Sequence, residues 1–185
     1  FSSRRNVNDK DMRALIGSLG EWVLRGPLRR NEIDIYRGIT TDVVSAGGGF
    51  DEAVSHVVEA MVQSPRFIYR IEESDASLSG TELASRLSYM IWGTSPDRDL
   101  RRKAGSGELF DPDKCTAEVQ RMLKHPLAKQ QSLRFASEWL NLGRLKNLKP
   151  NADHFPDWNP DLAADMERET LAFFEDVVWQ QKKPM

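Results

Sequence analysis

One stretch, residues 82–97, constrains the fold of this chain more than any other, and it reads ELASRLSYMIWGTSPD. Ser79 and Glu82 stand three residues apart, which is the spacing of a capping box, so a helix is predicted to begin here. Gly93 can take the left-handed conformation that ends a helix, and Ser95-Pro96-Asp97 is predicted to start the next one with proline in its first turn. Between these signals, apolar residues at intervals of three and four predict one buried face, formed by Leu83, Leu87, Met90 and Ile91.

The same helical spacing recurs along the rest of the chain, between breaks rich in glycine and proline. Further helices are predicted to begin near residues 9, 31, 50, 96, 112, 127 and 160, the last of them reaching about residue 181. The segment RFIYRIEE at 66–73 fits either an extended piece or a helix, and helical continuation is favoured. About eight helices without a strand pair predict an all-α fold with orthogonal or bundle-like packing.

Two of these predicted helices carry broad apolar faces. Residues 127–142 place Phe135 and Trp139 beside a stripe of leucine and alanine, so this helix is expected to be well buried. In the last helix the predicted buried stripe consists of Leu162, Met166, Thr170, Phe173 and Val177. The five tryptophans are expected to anchor junctions between helices.

Charge, hydropathy and cysteine count argue against several classes of protein. The 26 basic and 28 acidic residues give a net charge of −2, and the arginine clusters alternate with acids, so nucleic-acid binding is not expected. No apolar run approaches the roughly 20 residues that span a bilayer. The single cysteine, Cys115, excludes an internal disulfide and a Cys-x-x-Cys-His haem attachment in this sequence.

The polar loop before Ser79 predicts that the chain divides into two helical modules, 1–75 and 76–185.

Two sets of side chains could carry chemistry. Glu52, His56 and Glu59 are spaced by four and three on one predicted helix and could supply metal ligands, although a solvated polar face explains the same spacing. Acids also cluster in the last helix, where Glu169 lies at the edge of the predicted apolar stripe. No Gly-x-Ser-x-Gly motif supports triad hydrolysis. No residue of the sequence is assigned to cofactor binding.

Several motifs in order resemble the helical modules of large multidomain proteins abundant in planctomycetes and myxobacteria. They cover residues 23–178: GPLRRNE at 26–32, GFDEA at 49–53, MVQSPRFIYR at 61–70, ELASRLSY at 82–89, Trp92-Gly93, Pro96-Asp97, Arg121-Met122-Leu123, Phe135, Trp139-Leu140, Phe155-Pro156, Glu169-Thr170 and Phe173-Phe174. That family consists of domains of unknown function that are commonly exported and often joined to c-type cytochrome domains. The resemblance therefore implies a periplasmic or otherwise exported protein that continues beyond Met185, with haem in a partner domain rather than in this chain.

The resemblance supports two hypotheses of function. The first is a non-catalytic scaffold or docking module whose partners are other domains or subunits of the same protein, or a c-type cytochrome. The second is part of an oxidoreductase whose site is completed by other domains, with Arg86, Asp97 and Glu169 as the candidate catalytic residues. Capping and ion pairing between helices would also account for these three side chains.

Overall fold

The computed structural model describes residues 8–70, 72 and 77–181, and these residues form helices and no strand. This confirms the predicted all-α class, and eight of the helices are longer than two turns, as predicted. The α-helices are α1 (Asp9–Val23), α2 (Arg30–Ser45), α3 (Phe50–Val62), the single turn α4 (Pro65–Ile68), α5 (Gly80–Ile91), α6 (Arg98–Ser106), α7 (Pro112–Leu123), α8 (Pro126–Trp139) and α9 (Pro160–Glu175). Shorter 3-10 turns lie at Glu108–Phe110 and Leu142–Asn147, and a π-helical turn at Asp176–Gln180 extends α9. Within the described residues, no helix combines the length and the apolar character that a membrane span requires.

Polar side chains fix where α5 and α6 start. The predicted capping box is present, since the Ser79 N–H donates to Glu82 Oε2 at 2.6 Å and the Glu82 N–H donates to Ser79 Oγ at 3.3 Å. Gly93, at φ 68°, follows the end of α5 as predicted. The predicted start of α6 was wrong by two residues, because the cap is Asp97, whose Oδ1 accepts from the Leu100 N–H at 2.8 Å. Pro96 therefore precedes the cap instead of lying in the first turn.

The predicted helical continuation through 66–73 is wrong beyond Ile68. Tyr69 is extended, at φ −110° and ψ 150°. The Arg25 guanidinium donates to the carbonyl oxygens of Arg66 and Phe67, which a longer helix would need as acceptors for its next turn. A side chain distant in sequence thus ends the helix. Part of the predicted segment, residues 71 and 73, lies outside the described residues.

Contacts divide the chain into two compact units. Unit 1 comprises Phe1–Arg86 and Ser95–Asp111, and unit 2 comprises Leu87–Thr94 and Pro112–Met185, so the division falls within α5. The predicted modules 1–75 and 76–185 divide the chain elsewhere, and that division stays a prediction.

Unit 1 has an apolar core between α1, α2 and α3. Its buried members are Met12, Ile16, Val23, Leu24, Tyr36, Val57 and Met61. Together with the partly buried Leu15, Leu19, Ile33, Ile39 and Ala60 they recur mostly at three- and four-residue intervals, which is why these segments fold as helices around a common core. Trp22, which like the other tryptophans was expected to anchor a junction between helices, is instead 62% exposed. α6 adds the buried Leu100 and Ala104 to this unit.

In α5 the buried face is rotated from the predicted one. Leu87 is buried as predicted, but Met90 is 66% exposed, whereas the small residues Ala84 and Ser88 are fully buried. The Ser88 hydroxyl is satisfied by donating to the Thr94 carbonyl at 2.8 Å. Small side chains allow a neighbouring backbone to approach closely. In α5 the side that carries these small residues is therefore packed, and the larger Met90 side chain is exposed.

α8 and α9, in unit 2, are the second departure from the predicted faces. α8 buries Ala128 and Ala136 and leaves Phe135 58% and Trp139 64% exposed, so the prediction of a well-buried helix was wrong. α9 buries Ala163, and the predicted stripe residues Leu162, Met166 and Phe173 are exposed, Phe173 by 68%. The helices were recognised correctly, but the packed side of each is lined by small residues.

Candidate functional site

Unit 1 contains a cleft of about 1020 Å³ with a strongly charged lining. We call it the arginine cleft, because among the described residues its wall carries five arginines and three glutamates: Arg25, Arg29, Arg66, Arg70, Arg86, Glu32, Glu72 and Glu82. The segment between α1 and α2, the first turn of α2, α4 with the residues that follow it, and the first half of α5 supply these side chains. Hydroxyl groups of Ser77, Ser79, Thr81 and Ser85 also line it.

Arg25 ties two sides of this cleft together. It adopts the left-handed backbone conformation at φ 64°, which is uncommon for a residue other than glycine. Its guanidinium donates to the carbonyl oxygens of Phe67 at 3.1 Å and Tyr69 at 2.9 Å, as well as to that of Arg66. The chain reversal after α1 is therefore joined to the end of α4, and the position of Tyr69 at the cleft wall depends on it.

An ion pair between Arg66 and Glu32 is the second contact that fixes the cleft wall. Arg66 Nη1 lies 2.7 Å and 2.9 Å from the two carboxylate oxygens of Glu32, and the Arg29 N–H donates to Glu32 Oε2 at 2.7 Å. Burial acts to raise the pKa of Glu32, but the hydrogen bonds from Arg66 and the Arg29 backbone outweigh it, so the pKa is lowered. Glu32 therefore holds its negative charge and orients Arg66 at the cleft wall.

This pair predicts a pH dependence of stability. The pKa of Glu32 in the folded protein lies below its ordinary value of 4.5, so the unfolded chain binds the proton more readily. Its stabilising effect is complete above the ordinary value and is lost as the pH falls through the folded one. We expect Glu32→Gln to lower the free energy of unfolding by about 1–2 kcal/mol at pH 7 and by less at low pH. Urea unfolding of both proteins from pH 7 to pH 3 measures this, and a difference that grows on acidification would contradict it.

Arg86, a candidate from the sequence, lies in the arginine cleft. Its Nη2 is 2.6 Å from Glu72 Oε2 and its Nε is 3.1 Å from Glu72 Oε1. Glu82, on the same helix, caps α5 through Ser79. These groups form ion pairs and a helix cap, and the cleft offers fixed charges and hydrogen-bond donors to a ligand.

The other residues proposed from the sequence do not line the arginine cleft. Asp97 caps α6, and Glu169 is exposed on α9. Glu52, His56 and Glu59 are exposed on α3, where His56 Nδ1 lies 3.0 Å from Glu59 Oε2. A search of the described residues finds no group of three or more His, Cys, Asp or Glu side chains that could hold a metal ion. Cys115 is a half-buried free thiol.

Sequence reasoning missed a buried ionic group in unit 2. Glu118 on α7 is fully buried, and its carboxylate receives Arg121 Nη2 at 2.5 Å and Nε at 3.0 Å. The Arg121 guanidinium lies 5.3 Å from the ring centre of Trp92, whose Nε1 donates to the Met122 carbonyl at 2.9 Å. The ring of His125, the N-cap residue of α8, packs with its centre 5.2 Å from that of Trp92. The only sign of this pair in the sequence was a glutamate followed three residues later by an arginine, but solvent-exposed ion pairs on helices have the same spacing.

The fold and its sites define an all-helical protein of two compact units with a charged cleft in one and a buried ion pair in the other. Residues 78–185 match the family PSD4, protein of unknown function (DUF1592), and the chain belongs to this family. Residues 11–72 match a second family, PSD5, protein of unknown function (DUF1595). No curated protein and no solved structure shows significant similarity to the chain.

Proposed function

We propose that this chain is a non-catalytic docking module of an exported multidomain protein, and that it binds another domain of that protein or a c-type cytochrome. The export and the cytochrome partner are suggested by the resemblance to cytochrome-associated modules. The docking role is supported by the surface of unit 2.

The observation that carries the proposal is a pair of aromatic side chains on α8. The Phe135 and Trp139 rings stack on each other with centres 6.1 Å apart and planes inclined by 12°, and both are more than half exposed. Large aromatic side chains presented together are typical anchors of protein interfaces, since they bury much apolar area with few rotatable bonds. Such a pair on the surface favours a partner that covers it.

α9 supplies a second apolar surface in the same unit. Leu162, Met166 and Phe173 follow the helical repeat, yet all three are exposed. On an adjoining face, α9 packs through Ala163, and an ion pair between Lys129 and Glu175 joins α9 to α8. α9 thus carries apolar residues on two faces, which suits a helix that packs inside its own unit and also against a partner.

Truncation of the aromatic pair tests the proposal. We expect Phe135→Ala/Trp139→Ala to weaken binding to the adjoining domains, or to a c-type cytochrome, by about 30-fold or more, which corresponds to a loss of at least about 2 kcal/mol. Trp22→Ala is the matched control, because Trp22 is 62% exposed and Trp139 64%, but Trp22 belongs to unit 1. Isothermal titration of the whole chain with each partner measures the effect.

Two outcomes would contradict the docking role. One is equal binding by the double variant and the parent, and the other is the absence of binding to every adjoining domain and cytochrome. An absorption spectrum with elemental analysis addresses the oxidoreductase alternative, in which Arg86, Asp97 and Glu169 would serve a site completed elsewhere. A stoichiometric haem band or redox metal in the purified chain would favour that alternative over docking.

A further inference from the structure

We infer that the arginine cleft of unit 1 is a binding site for an acidic peptide segment that carries an apolar or aromatic residue beside its carboxylates. This inference does not depend on the aromatic pair of unit 2. It rests on the charge of the cleft, on how its guanidinium groups are held, on the apolar residues beside it and on its size.

The charge of the cleft is opposite to that of the chain. The whole sequence has a net charge of −2, whereas the described lining residues include five arginines against three glutamates. Positive charge in a concave wall attracts anions more strongly than the same charge on an open surface, because the surrounding protein excludes water and focuses the field. A ligand rich in carboxylates is therefore favoured over a neutral or cationic one.

Several guanidinium groups of the wall are fixed in place. Arg25 is held by three backbone carbonyls, Arg66 by both oxygens of Glu32, and Arg86 by Glu72. Glu32 and Glu72 offset the charges of Arg66 and Arg86, so these two pairs hold the wall in shape. Arg25 donates to backbone carbonyls, which carry no net charge, and a fixed arginine loses less side-chain entropy when it binds than a mobile one. Arg29 and Arg70 line the same cleft, are exposed and add positive charge to it.

Apolar side chains lie beside the charges. Tyr69 lines the cleft and is 64% exposed, and its neighbour Ile68 is 60% exposed. Leu24, Pro27 and Leu78 also line the wall. At about 1020 Å³ the cleft is at the upper end of the range for small-molecule sites, about 300–1,000 Å³, and far exceeds the volume of a single inorganic anion. An acidic peptide with one apolar or aromatic side chain matches both the charge and the apolar wall.

The test is a fluorescence-anisotropy titration of the whole chain with a labelled dodecapeptide that contains six Asp or Glu residues and one Tyr. We expect binding that weakens at least tenfold when NaCl rises from about 50 mM to about 500 mM, and at least tenfold in Arg29→Gln/Arg70→Gln. Arg30→Gln is the matched control, because Arg30 is exposed next to Arg29 but does not line the cleft. Circular dichroism and the melting temperature establish that the double variant is folded.

Three results would overturn the inference. These are no saturable binding of the acidic peptide, equal affinity for the same peptide with Gln and Asn in place of its acids, and equal affinity of the double variant and the parent. Tighter binding of a single-stranded oligonucleotide of the same length would assign the cleft to phosphodiesters and would also overturn it. Phe135→Ala/Trp139→Ala is expected to bind the peptide as the parent does, so failure of the cleft and failure of the docking surface are distinguishable.

Discussion

Gly80→Ala is expected to lower the free energy of unfolding by about 2–4 kcal/mol, although alanine is ordinarily the better residue in a helix. A Cβ atom at Gly80 would lie 2.2 Å from the carbonyl oxygen of Ala104 and 3.0 Å from its carbonyl carbon. Because the obstacle is backbone near the end of α6, no side-chain rotation can relieve the overlap. The start of α5 and the end of α6 would therefore have to move apart.

Gly105→Ala provides the matched control for this prediction. Gly105 lies in the same α6, next to Ala104, and a Cβ atom there meets no atom within 4 Å. We expect this variant to be more stable than the parent by about 0.5–1 kcal/mol, because alanine has less backbone freedom in the unfolded chain. Urea unfolding followed by circular dichroism measures both variants. Equal stabilities of the two would show that the approach of α5 to α6 does not limit residue 80.

The second large effect is expected at Glu118. Glu118→Ala removes the carboxylate from a fully buried position and leaves the Arg121 guanidinium beside Trp92 without this ion-pair partner. Breaking a buried pair costs about 3–5 kcal/mol, and the Arg121 side chain is 36% exposed and can turn partly to water. We therefore expect a loss of about 2–4 kcal/mol in the free energy of unfolding. Urea unfolding followed by tryptophan fluorescence, to which Trp92 beside this pair contributes, measures the loss.

Two comparisons separate the ionic contribution from simple truncation. Glu169→Ala removes an exposed glutamate from α9 of the same unit and is expected to change stability by less than about 0.5 kcal/mol. Glu118→Met/Arg121→Met replaces both charges by apolar side chains and is expected to be more stable than Glu118→Ala, because no buried charge is left unpaired. If Glu118→Ala is as stable as Glu169→Ala, the buried pair does not stabilise unit 2.

For the candidate sites, sequence reasoning found individual residues but not the groups they form. Arg86 was proposed from the sequence and lies in the arginine cleft, yet Arg25, Arg66 and Glu32 were not proposed. Several contacts that build this wall join residues distant in the chain, for example Arg66 to Glu32, 34 positions apart, and Arg25 to Tyr69, 44 positions apart. No local spacing encodes such contacts. The exposed Phe135–Trp139 pair was missed for a related reason, because an apolar pattern shows that a face exists but not what covers it.

The sequence by itself determined the helices of this protein. Caps such as Ser79 and Asn159, the glycine at 93 and apolar spacing act over a few residues, so the helices that they bound can be predicted from the sequence. Only the tertiary structure decided which side of each helix is buried. In α5, α8 and α9 that side is formed by small residues: Ala84, Ser88, Ala136 and Ala163. The reason is that close approach between backbones contributes more to the stability of the fold than burial of the largest side chain does. The tertiary structure also decided that Arg25 ends α4 and that Glu118 is buried, since both depend on atoms brought together by folding.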